Sequence, residues 1–286
     1  VTEIMQKSSN ICSAKIGFKL GRERLASWIR KFGFIQKTGI ELPHEVKGLM
    51  RSPKSWSDVG LANVAFGQGV AVTPIQILQA ASTIANGGVR VPPRLVRATE
   101  TSFGERHPRA RPEGVRVLSI LTASDIAKMM TEVTREGGTA LKAAIPGFDV
   151  AGKTGTAQKV DPVTRGYSHE LYVASFVGFV QAQDTEVAIL VLVDEPQCSH
   201  YGGTVAGPAV RKIALAALAS RDRRPTDPEG QKLFAAALRS ARRLPEAASP
   251  VADGAEATAP AVQAPVQTED SALALDGALS NQANVC

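Results

Sequence analysis

The sequence predicts a mixed α/β (α+β) chain built on an antiparallel sheet flanked by helices. Three observations predict it. Strand-like stretches at 149–159, 172–180 and 187–193 follow one another with links too short for a parallel crossover. Helical patterns with recognisable start and stop residues lie on both sides of these strands. Beyond Ser220 the composition changes, so the patterned part of the chain ends there.

Residues 3–33 read as helical, with Ile11, Ile16, Phe18 and Leu20 as one apolar set after Ser8-Ser9-Asn10. A second helix is predicted from Arg22 to Phe32, with Gly21 and Gly33 as punctuation. The stretch to Gly69 is loop-rich, broken by Pro43, Gly48, Pro53 and Gly60. Thr73-Pro74-Ile75-Gln76 is a helix start: Thr73 caps, Pro74 occupies the first turn without losing a needed N–H, and Gln76 returns the capping bond. That helix stops at Asn86-Gly87-Gly88. Residues 100–114 are charged and rich in Pro and Gly, a surface excursion. A helix is predicted from Thr122 to Glu136, stopped by Gly137-Gly138. The unbroken apolar run Val187–Val193 predicts a strand buried on both faces. A last apolar helix is predicted from Ala206 to Ala219.

Residues 1–220 therefore read as the folded part and 221–286 as a tail. An amphipathic helix is predicted at 228–243. Leu244–Cys286 has no Lys, Arg or aromatic residue and is predicted disordered, because it cannot bury enough surface to offset chain entropy.

Composition narrows the function classes. The formal charge is +6, of which 221–286 contributes −2 (7 Lys and Arg, 9 Asp and Glu) and the remainder +8. The basic residues are dispersed and no nucleic-acid-binding signature accompanies them, so no nucleic-acid partner is predicted. A mildly basic body suits an anionic surface such as wall polymer or lipid headgroups. Cys12, Cys198 and Cys286 form no CxxC pair, and His44, His107, His169 and His200 form no ligand spacing. Neither a disulfide framework, a metal site nor a cofactor is predicted. The longest apolar run is far below the ~20 residues that span a bilayer. The chain opens on Val1 and reads as a fragment or processed product, with any signal peptide or anchor expected upstream.

Two motifs carry candidate chemistry. Ser8-Ser9-Asn10 is by itself an ordinary helix cap. Lys153-Thr154-Gly155-Thr156 lies in a strand. The string Gly147-Phe148-Asp149-Val150-Ala151-Gly152-Lys153-Thr154 formally fits a phosphate loop. However, strand rather than helix follows it, and a phosphate cradle needs a helix N-terminus.

Taken with Gln6-Lys7, Phe66-Gly67-Gln68-Gly69, the Thr73–Gln76 block, Asp194-Glu195-Pro196 and Tyr201-Gly202-Gly203, these motifs fall in an order that resembles the class B penicillin-binding proteins, specifically FtsI-like division transpeptidases. The resemblance covers residues 1 to about 220 and implies the penicillin-binding/β-lactamase-like transpeptidase fold. It implies serine acyl transfer between peptidoglycan stem peptides ending in D-alanyl-D-alanine, with β-lactams as inhibitors. It also implies division-machinery membrane proteins as partners and a membrane-anchored protein with its catalytic domain in the periplasm. By resemblance, Ser8 relays protons, Asn10 holds the catalytic lysine and the substrate amide, and Lys153 polarises Ser8 and attracts a carboxylate. Thr154 and Thr156 bind that carboxylate, the Thr156 N–H forms half of the oxyanion hole, and Gly155 leaves room for the substrate strand.

One part of the pattern is missing: the sequence contains no Ser-x-x-Lys. Cys12-Ser13-Ala14-Lys15, Ser124-Asp125-Ile126-Ala127-Lys128 and Thr156-Ala157-Gln158-Lys159 each miss it by one residue type or position. In the family this motif lies upstream of the Ser-x-Asn motif, so the nucleophile is expected upstream of Val1. The chain alone is then expected to be inactive and to fold poorly, with the Val187–Val193 edge uncovered. The alternative is a penicillin-binding sensor or division scaffold with the same motifs and no turnover. A nucleotide-binding phosphate loop is the remaining rival.

Overall fold

The computed structural model describes residues 1–161, 163–164, 166–182, 185–197 and 199–242. The expected disorder of Leu244–Cys286 lies outside the described residues. Residues Val1–Arg243 cluster as one compact unit.

The chain begins with α1 (Thr2–Lys7), α2 (Asn10–Leu20) and α3 (Arg22–Lys31). Ser9 caps α2 by accepting from the Cys12 N–H at 3.3 Å, and Gly21 at φ 75° separates α2 from α3. A two-residue strand β1 (Leu49–Met50) pairs with β2 (Val70–Ala71), and between them lies α4 (Asp58–Phe66). The loop-rich reading of this stretch misses α4. Its signals are local: Ser57 caps through the Gly60 N–H at 3.1 Å, and Gly67 closes it at φ 100°. Its apolar residues show no single stripe, because α2 packs on one side and the Trp56 cluster on the other.

Helix α5 (Pro74–Ala85) carries both capping-box bonds, Gln76 N–H to Thr73 Oγ1 at 3.3 Å and Thr73 N–H to Gln76 Oε1 at 3.0 Å. Beyond it, β3 (Val89–Arg90) pairs with β6 (Val115–Arg116), enclosing the hairpin of β4 (Ala98–Glu100) and β5 (Arg106–Pro108). This is the exposed excursion expected at 100–114. Helix α6 (Ile120–Thr131) starts two residues before its predicted position, capped by Ser119, and ends five residues short of Glu136. The Thr131 hydroxyl donates to the Lys128 carbonyl at 2.7 Å and the Thr134 hydroxyl to the Val150 carbonyl at 2.7 Å. The first is a local bond of the kind that competes with the helical ladder, and the second ties the turn after α6 to β7.

The sheet consists of β7 (Val150–Val160), β8 (Tyr167–Ala182) and β9 (Thr185–Asp194), all antiparallel in the order β7-β8-β9. It is followed by α7 (Gly202–Val205), α8 (Gly207–Ser220) and α9 (Pro228–Arg242). The antiparallel sheet flanked by helices is thus borne out. One face of the sheet packs on α8 and α9 through Val150, Phe176, Val180, Leu215 and Phe234. The other packs on α5 and α6 through Ala151, Phe179, Ala85 and Met130. Phe234 meets Phe148 edge-on at 5.6 Å, which ties α9 to the body beyond the sequence boundary at 220.

The expectation of full burial for β9 is corrected. It is an edge strand among the described residues; Ile189 is buried, but Leu192 is 37% exposed. An apolar run shows that a strand avoids water on its faces but not whether its edge is paired. No described helix is long and apolar enough to cross a membrane.

Candidate active site

Strand alternation builds one wall of the site. Gly152 and Thr154 turn towards the Phe176 face, and a Cβ on Gly152 would strike the Phe176 ring. Lys153 turns the opposite way, to the Ala151 face, where α6 and α1 lie. There its Nζ donates to Ser8 Oγ at 2.5 Å and to the Thr154 carbonyl at 3.1 Å. Two residues separated by 145 positions thus meet at the junction of α1 and the sheet. Burial penalises the ammonium and pushes the Lys153 pKa from 10.5 down to about 8.

The Ser8 side of this contact is built by a break between two helices. Ser8 ends α1 in the left-handed region, at φ 53° and ψ 47°. For a non-glycine residue that conformation costs about 1 kcal/mol. Ser9 then resumes extended geometry and caps α2, while its carbonyl accepts from the Ser13 hydroxyl at 2.9 Å. The turn therefore aims Ser8 at Lys153 and leaves Asn10, the first residue of α2, solvent-exposed. The capping reading is borne out by Ser9, and Ser8 is left to face the lysine.

The other predicted site residues continue along β7. Thr154 Oγ1 lies 3.1 Å from Thr139 Oγ1, and Thr156 Oγ1 accepts from the Gly202 N–H at 3.4 Å. The free side of β7 is a sheet edge among the described residues. Gly155 has a reason to be glycine other than room for a neighbouring strand. A Cβ there would collide with Ser175 Oγ on β8, and it is Gly202 of α7 whose own Cβ would strike the Gly155 and Ser175 carbonyls. Past the far end of this stretch, Tyr172 stacks on His200 at 4.5 Å and His200 meets Tyr201 at 4.4 Å.

Sequence reasoning missed three contributors. Thr139 has no motif-like context beyond two preceding glycines. Gln6 and Lys7 belong to a quoted motif but carried no expected role. Gln6 Nε2 donates to the Glu136 carbonyl at 3.2 Å and Lys7 Nζ to the Gly137 carbonyl at 2.9 Å. Only the fold brings residues 6–7 to residues 136–137.

One reading is corrected. Cys12 is disulfide-bonded, its partner lying outside the described residues. The phosphate-loop string runs through a turn into β7, so that strand follows Lys153-Thr154, as its pattern predicts, and no helix N-terminus is there to cradle a phosphate. Among the described residues, no group of three or more His, Cys, Asp or Glu side chains is placed to hold a metal.

Comparison with known proteins places the chain in a family. Residues 1–215 match the family described as penicillin binding protein transpeptidase domain. The chain is 36% identical over 221 residues to penicillin-binding protein PbpB of Mycolicibacterium smegmatis, covering 74% of this chain and 34% of that protein. It is 38% identical over 217 residues to stage V sporulation protein D of Bacillus subtilis, covering 74% of this chain and 33% of that one. Among solved structures it is similar to penicillin-binding protein 3 from Mycobacterium tuberculosis complexed with aztreonam, with a TM-score of 0.72 and 35% identity over 78% of this chain and 51% of that chain. A second similar structure is the transpeptidase domain of penicillin-binding protein 3 from Burkholderia pseudomallei, with a TM-score of 0.69 and 32% identity over 79% of this chain and 66% of that chain. The chain spans about a third of the length of these curated relatives.

Proposed function

The chain belongs to the penicillin-binding protein transpeptidase family, and from that premise we propose that it supplies one wall of a D,D-transpeptidase cleft that cross-links peptidoglycan stem peptides. The single observation that carries the reading is the 2.5 Å contact from Lys153 to Ser8 across the junction of sheet and helix. A buried, weakly basic lysine against a hydroxyl can pass a proton in either direction near neutral pH.

In this reading a stem peptide ending in D-alanyl-D-alanine lies along the free edge of β7 as an added strand. Its terminal carboxylate meets the hydroxyls of Thr154 and Thr156 and the positive potential of Lys153. The Thr156 N–H points at the carbonyl oxygen that becomes negative as the tetrahedral intermediate forms. A serine from a Ser-x-x-Lys turn attacks that carbonyl, and D-alanine leaves after taking up a proton through Ser8. The acyl group then passes to an amine of a neighbouring stem, and the proton released by that amine returns by the same route. Asn10, exposed at the start of α2, is free to hold the lysine of that turn and the substrate amide. The 286 residues contain no such turn, so the reading assigns the nucleophile to sequence outside them and treats this chain alone as inactive. Membrane anchoring, a periplasmic catalytic domain and division-machinery partners belong to the same proposal.

A β-lactam that acylates a transpeptidase reports on this machinery. In the full-length gene product, Ser8→Ala and Lys153→Ala are expected to slow acylation by a penicillin by ~10²-fold or more, the scale of a lost general acid–base group. Acylation at the unaltered rate in both variants would remove the reading. Rapid acylation in the unaltered protein with no effect of Lys153→Ala on wall cross-linking would favour the sensor or scaffold instead.

A further inference from the structure

Three side-chain bonds close a ring around the Ser8 turn. Lys153 Nζ donates to Ser8 Oγ at 2.5 Å. The next residue, Thr154, shares a hydroxyl hydrogen bond with Thr139 at 3.1 Å. Two residues before Thr139, the Gly137 carbonyl accepts from Lys7 Nζ at 2.9 Å, and Lys7 is covalently joined to Ser8. The loop at 136–139 therefore bridges the two halves of the site, touching β7 with its hydroxyl and the Ser8 turn with its carbonyls. Gln6 adds a second strut to the same loop, through the Glu136 carbonyl at 3.2 Å.

Ser8 needs such support. It sits in the left-handed region without being glycine. Such a conformation persists only where its surroundings over-determine it. Helix α1 has six residues, and its last turn supplies only backbone bonds to Ile4 and Met5. The tie nearest Ser8 in the sequence is the side chain of Lys7.

We propose that Lys7 is a positioning residue of this site: its bond to the Gly137 carbonyl holds the Ser8 turn closed on the 136–139 loop and so sets the Ser8 hydroxyl against Lys153. The inference rests on the proposed reading only for what the Ser8 and Lys153 pair accomplishes. The positioning itself is tested without acyl transfer.

The test is competitive amine labelling of the full-length gene product with acetic anhydride across pH 6–11, read by mass spectrometry on the peptide containing Lys153. The unaltered protein and the variants Lys7→Met, Lys7→Gln and Lys7→Arg are compared at 0.05 and 0.5 M salt. Opening the turn admits water to Lys153, relieves the burial that holds its pKa near 8, and moves it back towards the free-lysine value. In Lys7→Met and Lys7→Gln the midpoint is expected to rise by about one unit or more, leaving Lys153 roughly fivefold less labelled at pH 8. Lys7→Arg keeps a long cationic donor and is expected to stay within a few tenths of the unaltered midpoint. Thermal midpoints should hardly move, since Lys7 is exposed. An unchanged Lys153 midpoint in whichever of Lys7→Met and Lys7→Gln folds would overturn the proposal. A shift at low salt that disappears at 0.5 M would also overturn it, because a through-space charge effect is screened and a displaced turn is not. Acylation kinetics bear on the function and leave this outcome untouched.

Discussion

Replacing Lys153 by methionine separates what the lysine does for the site from what it does to the fold. The displacement of its pKa from 10.5 to about 8 corresponds to about 3 kcal/mol by which burial disfavours the ammonium at neutral pH. Methionine of similar length removes that penalty. It also removes the bonds to Ser8 and the Thr154 carbonyl, worth about 1–1.5 kcal/mol each. Near pH 7 the two changes almost cancel, and Lys153→Met is expected to lie within about 1 kcal/mol of the unaltered chain. The pH dependence has a definite sign. The folded lysine loses its proton at lower pH than the unfolded one, so between about 8 and 10.5 the unfolded state holds more protons and stability rises with pH. Below about pH 8 the penalty is present in full. Urea unfolding at pH 7 and pH 10 should show the unaltered chain gaining about 2.5 kcal/mol on Lys153→Met between the two. Parallel stabilities at both pH values would refute the argument, because a lysine with an ordinary pKa gives no differential below pH 10.

The packing around the site makes three further predictions. Gly152→Ala should lower stability by about 1–3 kcal/mol in urea unfolding, since its methyl would enter the Phe176 ring. Gln76→Leu should cost about 2–4 kcal/mol in the same assay. The Gln76 amide is fully buried and bonds the Gln36 carbonyl at 2.7 Å, the Lys47 carbonyl at 3.1 Å and the Thr73 N–H at 3.0 Å, leaving those groups unpaired when it is lost. Leu192→Lys, on β9, an edge strand among the described residues, should reduce light-scattering aggregates of residues 1–286 several-fold, as charge on such an edge does.

The parts of this fold that were legible from sequence are those whose cause is local. The Thr73–Gln76 capping box formed as read because both bonds lie within four residues. The strand carrying Lys153 was legible because its pattern and its bounding turns are short-range. Helix α4 escaped notice because α2 and the Trp56 cluster take its two sides, so its apolar residues make no stripe. The turn that follows the early end of α6 is held by Thr134 on the Val150 carbonyl, a contact that exists only with β7 in place. The site divides the same way. Motif order pointed to Ser8 and Lys153, which lie 145 positions apart and meet at 2.5 Å in the fold. The struts from Gln6 and Lys7 to residues 136–137 span 130 positions and leave no periodic trace. Gly155 was read as room for a ligand; a Cβ there would also meet Ser175 Oγ on β8, a contact that the sequence alone does not reveal.

The most direct test of the central claim is intact mass after incubation with a penicillin, on residues 1–286 and on the full-length gene product, with folding of both checked by circular dichroism. The account predicts one covalent adduct on the full-length protein and none on residues 1–286, which contain no Ser-x-x-Lys. An adduct on residues 1–286, mapped to Ser8 or another residue of this chain, would contradict the roles assigned to Ser8 and Lys153. Two folded samples that both stay unmodified would contradict the transpeptidase reading itself.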